Sequence, residues 1–405
     1  MIFRLLSAQW LAMGFVGVVS LGISIAVARI LGPDQFGVYA IALSASAIIT
    51  ILLDGGFSNL LQREQARATM SLAEIGPRLL GMAHGHTLLM SLLFCIATVL
   101  LPSRYGLTLL SVILFSSVVV LNQFGLAILR GDGRLVRDAS WQAGGRTFTA
   151  VAVASALFIG AYLPWHIFCA QFIGVLAFGV FVTRNLRVLP SFFVPLKVYL
   201  TVSPFVWLNF ATVLYFRADL VLFEFLSLPK AAAGQYGVAY RLIEAVILFS
   251  SPIGLMLFRR FRRSDIDPTK ILYEIVPAII GAALGGVFFA LTLWFSGNYL
   301  IEWGYGAAYE EAGELLMVLG CSLVFILPNG VLTQAALASG FEKLFAVSAS
   351  IAAVINILGN LLLIPIYGVM AAAWMTVLTE AVLGACVATG MMYGCKLGLD
   401  SAKSL

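Results

Sequence analysis

Charge is scarce in this chain: of 405 residues only 11% are Asp, Glu, Lys or Arg, whereas 61% are hydrophobic. A water-soluble globule cannot cover its surface with so little polar material, and a mean hydropathy of +1.02 places the chain in lipid. Long polar stretches are missing too, so there is no room for a separate soluble domain, and whatever the protein does it does within the bilayer. Cysteine is sparse and shows no CxxC spacing: Cys95, Cys321 and Cys386 lie inside apolar runs, Cys169 opens another, and Cys395 is near the C-terminus. That pattern argues against a disulfide framework or a zinc site and leaves free thiols. His84 and His86 are two positions apart and cannot share one helical face as paired metal ligands do. The net charge of +5 would suggest nucleic acid in a soluble domain. Here the basic residues fall at the ends of apolar runs, where they read as topology signals and not as a phosphate-binding face.

What is present is a series of about twelve apolar stretches, each about 20 residues or longer, which is the length of a membrane-crossing helix. The first two cover 5–30 and 36–61, the fifth 141–163, the seventh 199–225 and the eighth 232–258. The expected fold is therefore all-α, a polytopic membrane protein. Only Arg4 precedes the first run, which is longer than a secretory signal core, so that helix is expected to be retained. Lys and Arg concentrate in every second gap, at Arg63, Arg67 and Arg78, at Arg130, Arg134 and Arg137, and at Arg259, Arg260, Arg262 and Arg263. The alternate gaps hold only Arg29, Arg104 and Lys230, so both termini are expected in the cytoplasm.

An internal echo supports a two-lobe organisation. The first connection reads Leu31-Gly-Pro-Asp-Gln-Phe-Gly-Val-Tyr-Ala40, and that between spans seven and eight ends Gly234-Gln-Tyr-Gly-Val-Ala-Tyr240. Both carry an aromatic-Gly-Val entry into a helix. Six helices recurring in the same orientation predict lobes at 1–190 and 191–405 flanking a central cavity, as in parallel-repeat transporters.

The run Ala28-Arg-Ile-Leu-Gly-Pro-Asp-Gln-Phe-Gly-Val-Tyr-Ala40, followed by Asp54-Gly-Gly-Phe57, resembles the N-terminal signature of bacterial polysaccharide-unit flippases. These are the Wzx-type members of the multidrug/oligosaccharidyl-lipid/polysaccharide exporter superfamily. The block Tyr215-Phe-Arg-Ala-Asp-Leu-Val-Leu222 with Tyr236-Gly-Val-Ala-Tyr-Arg-Leu-Ile-Glu244 is similar to the matching segment of the second lobe. The resemblance implies an inner-membrane protein that moves a lipid-diphosphate-linked oligosaccharide to the periplasmic leaflet by alternating access. The implied partners are that substrate, membrane lipids and other polysaccharide-assembly proteins, with the protein acting as a monomer and needing no cofactor.

Several charged residues fall inside spans, where they are costly and usually face a wet interior. With span seven running outward and span eight inward, Arg217 and Arg241 both come out roughly 12–15 Å below the outer boundary at about 1.5 Å per residue. They form one cationic layer, and a diphosphate is the kind of anion a guanidinium fork binds well. The resemblance also places Arg241 where related lipid II flippases carry a cation. Glu244, three residues beyond Arg241, offers it a local ion pair. Asp219, two residues from Arg217, points to nearly the opposite face and needs a partner elsewhere. Arg29 belongs to the family-like run and is a third substrate-binding candidate. Glu380 and Asp54 are the remaining acids for coupling to H+ or Na+. Glu380 lies near the midplane and Asp54 near the cytoplasmic boundary beside Gly55 and Gly56. Arg146 falls at a predicted helix end and reads as snorkelling, whereas Asn356 and Asn360 read as helix-to-helix glue.

Two other functions fit the hydropathy. A membrane-embedded glycan polymerase or ligase would need catalytic acids on a soluble face, and the outer cluster of Glu302, Glu310, Glu311 and Glu314 has no loop domain to present it. A multidrug cation exporter of the same superfamily would be expected to line its cavity with carboxylates, whereas Arg stands beside the acids here.

Overall fold

The computed structural model describes residues 2–67, 75–100, 104–182, 188–263 and 268–396. Among them every regular element is helical. In chain order these are α1 (Ile2–Asp54), α2 (Phe57–Arg67), α3 (Ile75–Leu100), α4 (Gly106–Gly131), α5 (Leu135–Phe158), α6 (Pro164–Val182), α7 (Leu196–Phe225), α8 (Lys230–Arg263), α9 (Pro268–Tyr305), α10 (Glu311–Ala338), α11 (Glu342–Tyr367) and α12 (Val369–Lys396).

α1 is two helical arms, not one rod. Gly32 takes φ 70° and ψ 170°, a backbone state that side-chain-bearing residues avoid, and Pro33 then opens the second arm with its φ already set for a helix. The Leu-Gly-Pro run thus turns the chain between the first two crossings. At the end of the second arm the chain breaks again, where Gly55 and Gly56 have φ 55° and 79°. The crossing expected to run unbroken through 61 therefore ends at Asp54, and α2 continues separately.

Among the described residues, nine helices are long and apolar enough to cross a membrane: α1, α3, α4, α6, α7 and α9 to α12. α5 and α8 have the length, 24 and 34 residues, but carry Arg146 in the one and Arg241 with Glu244 in the other. With the two arms of α1 counted separately, these make the twelve crossings of a multi-pass membrane protein. Arg146 is not at a helix end. α5 begins at Leu135, and Arg146 lies near the middle, where its Nε donates to Ser20 Oγ on α1 at 2.7 Å.

The chain divides into two compact units, residues 1–210 and 211–405, so that α7 starts in the first and ends in the second. In the first unit α4 packs on α6, α2, α1 and α3, and α5 on α6 and α1. A buried apolar cluster of Leu53, Phe57, Leu60, Leu79, Phe124 and Val202 ties the second arm of α1, α2, α3, α4 and the start of α7 together. The segment 188–195 lies against α3 through main-chain atoms: Ser191 N–H donates to Gly81 O at 2.8 Å. A side chain at Gly85 would collide with Ser191 O, so glycine is what lets that segment seat. In the second unit α10 is central, packed on α9, α8 and α12, with α11 on α12. A side chain at Gly286 of α9 would strike Leu323 O of α10, which is the close helix approach that small residues permit in membranes.

Candidate functional site

Arg217, Asp219, Arg241, Glu244 and Glu380 of the second unit sort into three clusters. In the first, α7 brings Arg217 to Glu244 of α8, Nη2 to Oε1 at 2.5 Å. Arg241, one helical turn before Glu244, places Nη1 2.5 Å from Oε2. One carboxylate thus holds two guanidiniums, and the cluster keeps one positive charge in excess. All three side chains retain 23–24% of their exposure, so the cluster is within reach of a polar ligand. The Arg217 guanidinium also lies 5.8 Å from the Tyr240 ring centroid, and Tyr240 Oη donates to Phe216 O at 3.1 Å. That ring backs the cation with a π-face and limits its swing.

Asp219 belongs to a different cluster, two residues along α7 and round the other side. It is 3% exposed, and its bonding partners are neutral. Tyr236 Oη donates at 2.7 Å, Asn360 Nδ2 at 2.7 Å and Thr376 Oγ1 at 3.3 Å. Asn360 Nδ2 also meets Asn356 Oδ1 at 3.1 Å, and Asn356 Nδ2 reaches Thr379 Oγ1 at 3.5 Å. Asn360 Oδ1 is buried with no hydrogen-bond donor against it. The cluster is therefore rich in hard oxygen atoms converging from α7, α8, α11 and α12, a donor set that suits a proton or a small hard cation.

Glu380 of α12 forms the third cluster. It is 2% exposed, and Asn329 Nδ2 of α10 donates to both its Oε2 and its main-chain O at 2.8 Å. Glu380 Oε1 is buried without a hydrogen-bond partner. One turn further along α12, Gly384 leaves the space that Asn329 fills, since a Cβ there would collide with Asn329 Oδ1.

The remaining candidates lie in the first unit. Asp54 is buried and caps α2, its Oδ2 accepting from Gly56 N–H at 3.0 Å while Oδ1 accepts from Ser58 Oγ. The Asp-Gly-Gly-Phe run is thereby accounted for as a turn closed by its own carboxylate, with Phe57 buried against His86 and Tyr199. His86 Nε2 bonds Leu52 O at 3.1 Å, so that nitrogen carries the proton and Nδ1 accepts from Tyr199 Oη at 3.0 Å. Arg29 is exposed on the first arm of α1, three residues before the Gly32 turn. Sequence reasoning did not single out Tyr236, Asn329 or Thr376. It treated Asn356 and Asn360 one at a time, although their separation of four residues is the signal that puts both on one helix face. Among the described residues no three His, Cys, Asp or Glu side chains gather into a metal site.

Two compact units of packed membrane helices with buried polar clusters define a multi-pass membrane protein, and its fold has solved counterparts. The lipid II flippase MurJ in an inward closed conformation superposes with a TM-score of 0.73 at 14% identity, covering 95% of this chain and 87% of that one. An inward-facing multidrug resistance MATE family transporter of the MOP superfamily gives 0.62 at 14%, covering 98% and 96%. The MATE multidrug transporter DinF-BH gives 0.66 at 14%, covering 96% and 94%. No curated protein matches the chain at the level of sequence. The family model described as polysaccharide biosynthesis protein matches residues 5–264. The chain belongs to that family.

Proposed function

We propose that this protein is a flippase that moves a lipid-diphosphate-linked oligosaccharide unit across the bacterial inner membrane by alternating access, for surface polysaccharide biosynthesis. The observation that carries this reading is the sharing of Glu244 by Arg217 and Arg241, which leaves a half-buried, net-positive cluster on two membrane helices. A bare guanidinium at that depth is costly, and an anion with several oxygens, such as a diphosphate, compensates the excess charge through charge-assisted hydrogen bonds. Family membership supports a polysaccharide precursor as the source of that diphosphate.

In this reading the arginines grip the diphosphate, and the glycan undergoes no chemical step. Asp219 with its neutral donors, and Glu380 with its open oxygen, are the groups that take up H+ or Na+ to drive the cycle. A carboxylate ringed by neutral donors is ready for a cation in a way that an Arg-paired one is not. A cationic drug would meet like charge at the Arg cluster, which weighs against the multidrug-exporter alternative.

The test is reconstitution of the purified protein in liposomes, with a fluorescent undecaprenyl-diphosphate-linked saccharide in one set and a cationic dye in another. Accelerated transbilayer movement of the saccharide lipid, and none of the dye, is expected. Movement of the dye alone would refute the flippase reading.

A further inference from the structure

The Gln-aromatic-Gly-Val element occurs once in each unit, and the two glutamines have different surroundings. In the second unit Gln235 is buried and clamps the turn between α9 and α10: its Nε2 donates to Ala308 O at 2.9 Å, and its Oε1 accepts from Ala312 N–H at 3.1 Å. In the first unit the counterpart, Gln35, makes no such clamp among the described residues. It is half-buried and lines a cavity of about 520 Å³ bounded by the start of α4 and the start of α6. The same cavity is lined by Arg104, Tyr105, Thr108 and Trp165, with the Arg104 guanidinium 5.3 Å from the Tyr105 ring centroid.

We propose that this cavity is a carbohydrate-binding subsite, which receives one or two sugar residues of the glycan at the end of the first unit where the Gly32 turn meets the α3–α4 and α5–α6 connections. The inference rests on the flippase reading for the source of the glycan. A volume of about 520 Å³ is in the range of small-molecule sites. Its lining pairs what a pyranose presents. The aliphatic C–H face of a sugar packs on an aromatic ring such as Trp165, while its hydroxyl edge takes up an amide, which donates and accepts at once, at Gln35. Arg104 adds a planar fork for a hydroxyl pair or a sugar-acid carboxylate. An anionic lipid headgroup would call for several cations at one place, and Arg104 is the single Lys or Arg among the residues that line this cavity. By the Lys and Arg asymmetry of the sequence this end faces the periplasm, where a glycan emerges after its lipid has crossed.

The subsite is tested on the full chain in nanodiscs of neutral lipid by saturation-transfer NMR, with glucose, galactose, N-acetylglucosamine and glucuronic acid as probes. Saturation should reach the ring C–H protons of at least one of the four. It should fall about five-fold or more in Gln35→Ala, the range for losing a bidentate amide partner, and also in Trp165→Leu. Melting curves matching wild type establish that the variants fold. Absence of saturation with all four sugars, or equal saturation in both cavity variants and wild type, would overturn the proposal. Displacement of the sugars when phosphatidylglycerol is added to the nanodiscs would overturn it too and mark a headgroup site. The lipid-movement assay is read separately: movement without sugar binding sinks the subsite alone, and sugar binding without movement sinks the flippase reading alone.

Discussion

Arg217 and Arg241 reach opposite oxygens of one carboxylate, that of Glu244, each at 2.5 Å. The three charges do not form a closed pair, so their single removals are unequal. Arg241→Ala leaves Arg217 and Glu244 as a neutral pair, and assembly should stay at wild-type level while export falls and lipid-linked precursor builds up in the cytoplasmic leaflet. Glu244→Ala leaves two guanidiniums facing each other and should cost about 2 kcal/mol, less than a fully buried pair because the side chains are partly exposed. Melting curves and precursor distribution in cells check both. Wild-type export by Arg241→Ala would remove it from the substrate site.

Asp219 supplies a second prediction. If a small cation binds there, the folded state gains stability in proportion to the logarithm of cation concentration. The melting temperature of wild type should rise when choline chloride is replaced by sodium chloride, or on acidification if the cation is a proton. Asp219→Asn should flatten both responses, with Thr376→Ala giving a smaller loss. Identical responses in Asp219→Asn and wild type would exclude the cluster as the coupling site.

Glu380 is separable from Asp219 by its partner. Glu380→Gln keeps an oxygen for Asn329 Nδ2 and removes only the ability to exchange a proton. Export should slow and lose its dependence on pH, at unchanged protein level. A pH profile that matches wild type would reduce Glu380 to a helix-packing role.

Orientation is tested by cysteine labelling in a background with the native cysteines replaced. Arg137→Cys and Arg262→Cys should resist an impermeant reagent in intact cells, and Glu302→Cys should accept it. Efficient labelling at the first two would invert the topology and, with it, the side on which the proposed glycan subsite opens.

The helices were legible because apolar runs of membrane length dictate them. Their ends were less so. Arg137, Asp138 and Ser140 break the apolar pattern ahead of the fifth run, so the hydropathy begins at Trp141, whereas α5 begins at Leu135 and seats Asp138 against Arg130 Nε at 3.0 Å. The charge layer of Arg217 and Arg241 could be counted from helix rise alone, and the neighbouring Glu244 from its spacing. The environment of Asp219 could not, since its partners lie 17, 141 and 157 residues away along the chain. Periodicity places a residue on a face of its own helix and says nothing of which distant helix covers that face.

The seat of 188–195 on α3 is made of main-chain atoms, with Ser191 N–H on Gly81 O and no room for a side chain at Gly85. Val188 and Val194 add side-chain packing against the apolar cluster, whereas Leu189, Phe192 and Phe193 stay exposed. Those exposed residues are free to drift over evolutionary time while the glycines at 81 and 85 are not, so relatives should differ widely at the former and agree at these two positions of the third helix. A chimera carrying a foreign segment of equal length that keeps Val188 and Val194 should fold normally, and Gly85→Val in the native chain should not.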